Sequence, residues 1–313
     1  KSNLIYALNA LRNIMCTPTK DKTEAIDVVP FLLDNFSGQQ HTTFELSFYI
    51  GTEKYLLQLE LDRNHIYREK LVFYPSSKSA LLYERLYNEE QGLVEINWGS
   101  YLKLSKKSCA AIEGNTISNI SVLVAWTKSN VERSRLDGVY QFFAEQMILP
   151  LTTSETLASY ARESLRNDNE GRLKTFVKKF LQASDFNISD IEIEDEEVQV
   201  NEEVRKLFMG LPLPEGFRLD WLKDGILHKE HFVFSHHTSQ GDYKLPETME
   251  SSGTFQMLVL SVLLYNMLQD GSITVIDELE SSLHYELLSY FIRTFIASSE
   301  EPSQLLFTTH DLN

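Results

Sequence analysis

The chain has 313 residues, of which 42% are hydrophobic and 24% are charged, and its formal net charge is −16. This composition excludes a disordered tail, because it supplies enough apolar side chains to fill a core. The acidic excess argues against non-specific electrostatic binding to nucleic acid or to an anionic membrane, although it does not exclude a local basic patch.

The cysteine count and the hydropathy pattern predict a cytoplasmic protein without a membrane partner. Cys16 and Cys109 are the two cysteines, too few for a disulfide framework and suited to a reducing compartment. The longest apolar stretch, residues 257–268, is as long as one short helix and does not predict a membrane span. The first residues lead into an amphipathic helix and lack the pattern of a signal peptide.

The first part of the chain predicts one helix followed by an antiparallel meander. Apolar residues recur at helical spacing over residues 1–15, and Pro18 ends the pattern. Apolar and polar residues then alternate with a period of two, which is typical of strands with one buried face. The predicted strands span residues 44–50, 55–61, 66–74 and 81–87.

The middle of the chain predicts short helices and then an acidic strand. Helical spacing extends over residues 120–181, in pieces that we expect to be broken by Gly138, Pro150 and Gly171. The acidic stretch 190–204 is interpreted as a solvated edge strand and loop, because acidic runs are usually exposed and seldom form a metal or partner site.

The last third predicts an α/β arrangement. A hairpin formed by residues 232–234 and 243–245 comes first. The elements after it are a helix over about 254–269, a strand over 273–276, a helix over about 285–297 and a strand over 305–308. Strands that are apolar throughout are typical of buried parallel sheets, so we expect these two strands to be parallel.

Two acidic residues directly follow one of these apolar strands. Four β-formers, Ile273–Ile276, precede Asp277 and Glu278, and α/β proteins bind ligands at the carboxyl ends of such strands. There an aspartate can hold Mg²⁺ through its water shell, and a glutamate can orient or deprotonate a water molecule. An ordinary strand end is the alternative.

Two helix starts and one strand end offer contacts for an anion. Glu250-Ser251-Ser252-Gly253-Thr254 precedes an apolar helix, where small residues leave backbone N–H groups open to an anion, although a plain helix cap has the same pattern. Lys1-Ser2-Asn3 begins another helix in the way that a phosphate-binding loop ends. His310 follows the last strand, where it could donate a hydrogen bond to phosphate or simply lie in a turn.

The order and spacing of these motifs resemble the head of an ABC-type ATPase. The Ser-Gly motif lies about 23 residues before the Asp-Glu pair, which fits that class. More closely, the chain resembles the AAA15 family of bacterial ABC-type ATPases, relatives of the overcoming-lysogenization-defect (OLD) ATPases. The resembling stretches are residues 1–5, 30–31, 44–74, 250–254, 276–283 and 307–311, which are spread over about half of the chain.

The resemblance implies a role for each residue of the ATP and Mg²⁺ site. Lys1 would contact the β- and γ-phosphates, Ser2 would bind Mg²⁺ directly, and Asn3 belongs to the same nucleotide-binding stretch. Asp277 would hold Mg²⁺ through water, and Glu278 would be the base for the attacking water. The glycine-rich cradle is missing before Lys1, so we expect the complete polypeptide to extend N-terminally by at least one strand and that loop.

The resemblance also implies residues that act across a dimer. Ser251, Ser252 and Gly253 would form the signature motif, which faces the γ-phosphate bound by a second protomer. The stretch Glu280-Ser281-Ser282-Leu283 would cross that interface, and His310 would be the catalytic switch histidine. No glutamine is assigned to the Mg²⁺-sensing loop, because residues 30–31 resemble the family's connection better than residues 39–40 do.

The implied fold is α/β: an ABC-type P-loop ATPase head with an antiparallel β-meander in the first lobe and a mostly helical insertion. The expected domains are an N-terminal ATPase lobe with the meander at 1–118, a helical insertion at 119–215 and a C-terminal ATPase lobe at 216–313. The last of these would carry the signature, the Asp-Glu pair, the interface loop and the switch histidine.

The implied function is Mg²⁺-dependent binding and hydrolysis of ATP in a head-to-head homodimer or higher oligomer. The resemblance further implies a sensor in bacterial antiphage defence that controls an effector encoded nearby, such as a TOPRIM-type nuclease. A DNA-associated housekeeping ATPase of the repair or SMC-like class is one alternative, disfavoured because the helical patterns are too short for a long coiled coil. A non-hydrolysing ATP-dependent scaffold is disfavoured by Glu278, and a self-contained nuclease by the lack of an acidic C-terminal cluster.

Two other clusters suggest different partners. His228, His231, His236 and His237 could indicate zinc, but neither a partner cysteine nor paired ligand spacing supports it. Basic residues between 162 and 179 could face a polynucleotide, although solvated helix faces are commoner. A nucleic-acid partner therefore stays open without being indicated by charge.

Overall fold

The computed structural model describes residues 2–148, 154–199, 226–298 and 303–310. Its helices are α1 (Ser2–Cys16), α2 (Lys106–Asn115), α3 (Val122–Thr127), α4 (Arg135–Gln141), α5 (Ser154–Arg166), α6 (Arg172–Ala183), α7 (Ser252–Asp270) and α8 (Tyr285–Ser298). Its strands are β1 (Thr42–Ile50), β2 (Glu53–Leu61), β3 (Ile66–Tyr74), β4 (Ala80–Asn88), β5 (Leu93–Trp98), β6 (Met147–Ile148), β7 (Asp190–Gln199), β8 (Ile226–Thr238), β9 (Gly241–Pro246), β10 (Ile273–Ile276) and β11 (Gln304–Phe307). None of the helices in these ranges is both long enough and apolar enough to cross a membrane.

The chain divides into two units, and its last third contributes segments to both. Unit 1 consists of Lys1–Pro150, Ser272–Asp277 and Gln304–Thr308. Unit 2 consists of Leu151–Gly271, Glu278–Ser303 and Thr309–Asn313. One boundary is the peptide bond between Asp277 and Glu278, so the two acidic residues of the predicted site belong to different units.

The antiparallel meander of unit 1 is confirmed and has a fifth strand. Strands β1 to β5 pair in chain order, each antiparallel to the next. Leu57, Leu59 and Leu61 of β2 alternate with half-buried residues, as expected for a sheet with one face in the core. The fifth strand, β5, was not predicted, because its side chains are exposed or half-buried and its apolar signal is weak.

Helix α1 forms as predicted and packs into the same core. Ile5, Leu11 and Met15 recur on one face of the helix and are buried with the meander and with α3. Arg12 donates two hydrogen bonds of 3.0 Å to carbonyl groups of the π-helical turn Phe142–Gln146, which continues α4. These bonds fix the direction of α1 within unit 1.

Gly138 does not break a helix, so that prediction was wrong. It lies inside α4, whose start carries a capping box: the Ser134 side chain accepts from Leu136 N–H, and Asp137 accepts from Ser134 N–H at 2.7 Å. Leu136 and Val139 are fully buried. The cap and this packing outweigh the cost of about 1 kcal/mol for an interior helical glycine.

The other two predicted breaks have different outcomes. Gly171 is a break as predicted, because it precedes α6 in a left-handed conformation with a φ of 69°. Pro150 lies outside the described residues.

The predicted parallel strands form a three-stranded sheet in unit 1. Strand β10 lies at its centre, parallel to both β11 and β6. Ile276 pairs with Phe307, so β10 and β11 end at the same edge. The sequence did not predict β6, which has only two residues and is a strand through its pairing with β10.

Unit 2 is organised around α7. Residues 257–264 of this helix are all buried, and the helix packs against α5, α6 and α8. Strands β7, β8 and β9 form an antiparallel sheet with β7 at one edge, which confirms the predicted edge strand within the described residues. Residues 200–204 of the acidic stretch lie outside the described residues. The predicted hairpin is confirmed, but β8 is longer than predicted, at thirteen residues.

Candidate functional site

One part of the candidate site is the carboxyl edge of the parallel sheet in unit 1. Asp277 follows β10 and Thr308 follows β11, directly after the paired residues Ile276 and Phe307. The Thr308 hydroxyl donates a hydrogen bond to Oδ1 of Asp277, and the Thr308 N–H donates to the Ile276 carbonyl at 3.0 Å. The neighbouring strand end therefore orients the Asp277 carboxylate.

The start of α1 lies in the same unit. Ser2 is the first residue of the helix and is half-buried, whereas Asn3 is exposed. The first N–H groups of a helix have no partner within the helix and can bind an anion. Lys1 lies outside the described residues, so its contact with the phosphates stays a prediction.

In unit 2, Glu278 begins a turn with an unusual backbone. Glu278 and Ser282 both have a left-handed conformation, with φ of 50° and 63°. This conformation costs a non-glycine residue about 1–3 kcal/mol, and it persists where the surroundings enforce it. Ser281 N–H donates to the Glu278 carbonyl at 2.8 Å, and Leu279 is fully buried beneath the turn.

The segment that carries His310 meets this turn. His310 Nε2 lies 3.5 Å from Glu278 Oε1, and the His310 backbone N–H donates to Glu280 Oε1 at 2.5 Å. Both side chains of the first pair are open to solvent, with His310 75% and Glu278 59% exposed. The structure thus brings together the predicted base and the predicted switch histidine.

The Glu280 carboxylate is stabilised in its charged form. Partial desolvation raises the pKa of Glu280, but hydrogen bonds and charge outweigh it and leave the pKa below the usual range. The bonds come from the backbone N–H groups of His310 and of Glu280 itself and from the Thr309 side chain, and the charge is that of His310. Glu280 is therefore an ionised acceptor at neutral pH.

The predicted signature motif forms the start of α7. Ser251 is the N-cap residue: its Oγ accepts the Thr254 N–H at 3.0 Å and lies 2.7 Å from the Thr254 hydroxyl. Ser251 and Ser252 are exposed, while Thr254 is buried. The interpretation as a helix cap is confirmed, and a contact of these residues with phosphate stays a prediction.

Gly253 lies against the turn that Glu278 begins. A Cβ atom at position 253 would lie 3.1 Å from the Ser282 carbonyl oxygen, closer than an ordinary carbon–oxygen contact. Glycine therefore lets the first turn of α7 approach this backbone without displacing the Ser282 carbonyl. The predicted signature and the predicted interface loop touch within one chain.

Two acidic side chains hold the segment before the signature. Glu247 pairs with Arg162 of α5 at 3.0 Å and accepts the Phe232 N–H at 2.8 Å, with only 15% and 13% of the two charged side chains exposed. Glu250 Oε1 lies 2.6 Å from Nε2 of His236 in β8, and the Glu250 side chain is 8% exposed. The predicted signature motif thus follows a segment that is fixed at two points.

Two histidines of the cluster contact carboxylates in the described part of the chain. His236 contacts Glu250, and His237 contacts Asp242 at 2.7 Å. Among the described residues, no group of three His, Cys, Asp or Glu side chains is arranged to hold a metal ion.

Basic residues of α5 and α6 are paired with acidic ones. Arg166 contacts Asp195 at 2.9 Å, and Lys174 and Lys178 contact Asp190 at 3.0 and 3.2 Å. These pairs neutralise part of the positive charge that a polynucleotide would need.

The full chain, residues 1–313, matches the protein family described as "AAA domain, putative AbiEii toxin, Type IV TA system". The chain belongs to this family. It is therefore a nucleotide-binding domain of the P-loop ATPase class, as the motifs predicted at that level. No curated protein matches the chain significantly.

The residues of unit 1 fit the Mg²⁺-bound nucleotide that this class uses. The Ser2 hydroxyl and the Asp277 carboxylate are hard oxygen donors, the kind that Mg²⁺ prefers. The Thr308 hydroxyl donates to Oδ1 of Asp277 and so orients the carboxyl group at the edge of the sheet. Ser2 would hold the ion directly, and Asp277 would hold it through water.

Two contributors to the site were not predicted. Thr308 belongs to the strand-end motif, and its hydroxyl could have been related to Asp277 only by knowing that β10 and β11 are parallel neighbours. Glu280 was predicted to be part of an interface loop, which stays a prediction, and its bond with the His310 backbone was not foreseen. Neither contact has a signal in local sequence, because the partners are about thirty residues apart.

Proposed function

We propose that the chain is an ABC-type ATPase head that hydrolyses Mg²⁺–ATP across a homodimer and thereby controls an effector protein. The observation that best supports this proposal is the contact of 3.5 Å between His310 and Glu278. The turn that holds Glu278 also touches the glycine of the motif at the start of α7. A base, a switch histidine and a signature are the parts that such a head combines.

Each residue of the site has a task in hydrolysis. Lys1 and the first turn of α1 bind the β- and γ-phosphates, and Ser2 and Asp277 hold Mg²⁺. When it is bound, Mg²⁺ neutralises charge on the phosphate oxygens and helps to align them. Glu278 orients the attacking water and accepts its proton, while His310 donates a hydrogen bond to the γ-phosphate. Phosphoryl transfer needs little more than this positioning and charge neutralisation.

The dimer supplies the remaining contact with the nucleotide. Ser251 and Ser252 are exposed at the N-terminus of α7, a helix of nineteen residues whose dipole favours an anion there. We place the γ-phosphate bound by a second copy at this end. Hydrolysis followed by release of inorganic phosphate would remove that anion and open the dimer, which makes nucleotide state a signal.

The signal is proposed to act on an effector in bacterial defence. The family's description names an AbiEii-type toxin of a type IV toxin–antitoxin system. We propose that this chain serves in a system of that kind as the ATPase that senses infection and releases or activates a toxic partner, such as a nuclease. Nucleotide state can be converted in this way into a change of shape that another protein recognises.

Replacing Glu278 by glutamine tests the hydrolysis step. Glu278→Gln keeps the size of the side chain but removes the base, so we expect ATPase turnover to fall at least 100-fold, or about 3 kcal/mol of barrier. ATP should still bind, and dimers should accumulate with ATP in size-exclusion chromatography. Glu90→Gln, at an exposed turn, is the matched control and should leave turnover unchanged. Unchanged turnover in Glu278→Gln would show that Glu278 is not the base.

A second substitution in the Glu278→Gln background tests the signature. Ser251→Arg should abolish the ATP-induced dimer while ATP still binds the monomer, because the large cation fills the space that the partner's nucleotide needs. Ser251→Ala loses the same helix cap, at a cost of about 1 kcal/mol, but stays small and should dimerise. A dimer that persists in Ser251→Arg would contradict the signature role.

A further inference from the structure

The turn after β10 has a conformation that its own residues do not favour. Glu278 and Ser282 are both left-handed, and neither is glycine. Such strain persists only where neighbouring contacts fix the backbone, and it clusters at functional positions. The contacts that hold this turn therefore determine where the Glu278 carboxylate lies.

Three of the contacts that hold the turn differ in what they reach. Leu279 is fully buried in the interior of the protein, and the Ser282 carbonyl lies against Gly253. Glu280 reaches the segment after β11, where it accepts the His310 backbone N–H at 2.5 Å and interacts with the Thr309 side chain. Of these three contacts, the one made by Glu280 bears directly on His310.

The bond from Glu280 constrains the backbone of His310, while the imidazole ring stays accessible. The ring is 75% exposed, so packing gives it little orientation. A fixed backbone N–H keeps the His310 backbone at a place from which the ring reaches Glu278, where Nε2 lies at 3.5 Å. An ionised carboxylate accepts such a bond more strongly than a neutral group does.

We propose that Glu280 is a positioning residue for ATP hydrolysis, which acts by holding the His310 backbone so that the histidine ring stays beside Glu278. This inference rests on the proposed function, because it requires that Glu278 and His310 act on ATP. It gives Glu280 a task within its own chain that is separate from any contact across a dimer.

Two substitutions of Glu280 in the full-length protein separate the acceptor from the charge. Glu280→Ala removes the acceptor, so kcat should fall about 10-fold while KM for ATP stays within about twofold. Glu280→Gln keeps a carbonyl oxygen at the same reach and should retain at least about one third of wild-type kcat. Glu90→Ala is the surface control. An Ala variant with unchanged kcat, or a Gln variant as slow as Ala, would overturn the inference.

A double-mutant cycle with His310 tests whether Glu280 acts through the histidine. In the His310→Ala background, Glu280→Ala should lower kcat less than about twofold, because the group it positions is already gone. A general structural role would predict the same loss in both backgrounds, and that result would overturn the inference. Full turnover in Glu278→Gln would contradict the proposed function itself. That measurement is separate from the cycle between Glu280 and His310, so the two failures can be distinguished.

An amide-exchange measurement tests the bond itself without any ATPase assay. The His310 amide should exchange at least about 10-fold faster in Glu280→Ala than in the wild type, and within about threefold of it in Glu280→Gln. Nuclear magnetic resonance resolves this single amide. Equal exchange in all three proteins would show that Glu280 does not hold His310, whatever the ATPase rates.

Discussion

Two helical glycines show how much a single position depends on its surroundings. Gly114 lies in α2, where a Cβ atom would meet nothing within 4 Å. Gly253 lies in the first turn of α7, where a Cβ atom would lie 3.1 Å from the Ser282 carbonyl oxygen. From the sequence alone, each glycine is expected to destabilise its helix by the same amount. Only the fold distinguishes them, because it brings Ser282 against Gly253.

Alanine at these two glycines should therefore have opposite effects. Gly114→Ala should raise the free energy of unfolding by about 0.5–1 kcal/mol, because alanine loses less backbone entropy in a helix. Gly253→Ala should give no gain or a loss of up to about 1 kcal/mol, because the Ser282 carbonyl must move. Urea unfolding followed by circular dichroism measures both, and an equal gain in the two variants would contradict the close contact.

At the scale of elements, ion pairs of different burial tie α5 to the antiparallel sheet of unit 2 and to the segment before α7. Arg162 and Glu247 are 13% and 15% exposed, and the Arg162 guanidinium lies 5.3 Å from the centre of the Phe232 ring. Arg166, one turn further along α5, pairs with Asp195 at a more open position, where its side chain is 44% exposed. The Arg162–Glu247 pair is therefore largely shielded from solvent, whereas the Arg166–Asp195 pair is exposed to it.

Removing the two arginines should distinguish these environments. Arg162→Met leaves Glu247 nearly buried without its cation, so we expect a loss of about 3 kcal/mol in the free energy of unfolding. Arg166→Met keeps a similar stem and breaks an exposed pair, so the loss should be below about 1 kcal/mol. Thermal unfolding compares them directly. Similar losses in both variants would mean that the Arg162 pair is no more stabilising than a surface pair.

At the scale of the whole molecule, the proposed effector gives a direct experiment. The tagged protein, purified from its own host, should bring down one specific partner, and cells that carry the whole locus should resist phage. The locus with Glu278→Gln should lose that protection, because the switch can no longer reset. A protein that comes down alone, hydrolyses ATP and confers no resistance would favour a DNA-associated housekeeping ATPase.

Local patterns were sufficient for most elements of the fold. The helix at the start, four strands of the meander and the alternation of β10, α8 and β11 were predicted within one or two residues of their observed bounds. These elements depend on apolar periodicity, which is a property of neighbouring residues. The predictions failed where periodicity is weak or overruled, as at β5 and at Gly138.

Charges inside the meander core were beyond any local pattern. Glu69 and Arg85 are both fully buried, although residues of this kind are almost always exposed. Burial raises the pKa of Glu69, which accepts the Tyr83 hydroxyl at 2.7 Å, and burial lowers the pKa of Arg85 to about 10. Glu69 accepts from Tyr83 of a neighbouring strand and from the Val122 backbone, while Arg85 donates to the backbone carbonyls of Ile66, Ile117 and Ser118, so only the folded unit could bring these groups together.

The sequence by itself determined the candidates for the chemistry: a strand that ends in Asp277 and Glu278, a small-residue helix start, and a histidine after the last strand. The tertiary structure decided which of them meet. His310 approaches Glu278 and Glu280 because the two segments are neighbours in unit 2, while Thr308 meets Asp277 because β10 and β11 are parallel. Contacts between residues about thirty positions apart depend on how strands pair, and pairing is set by the packing of the whole core.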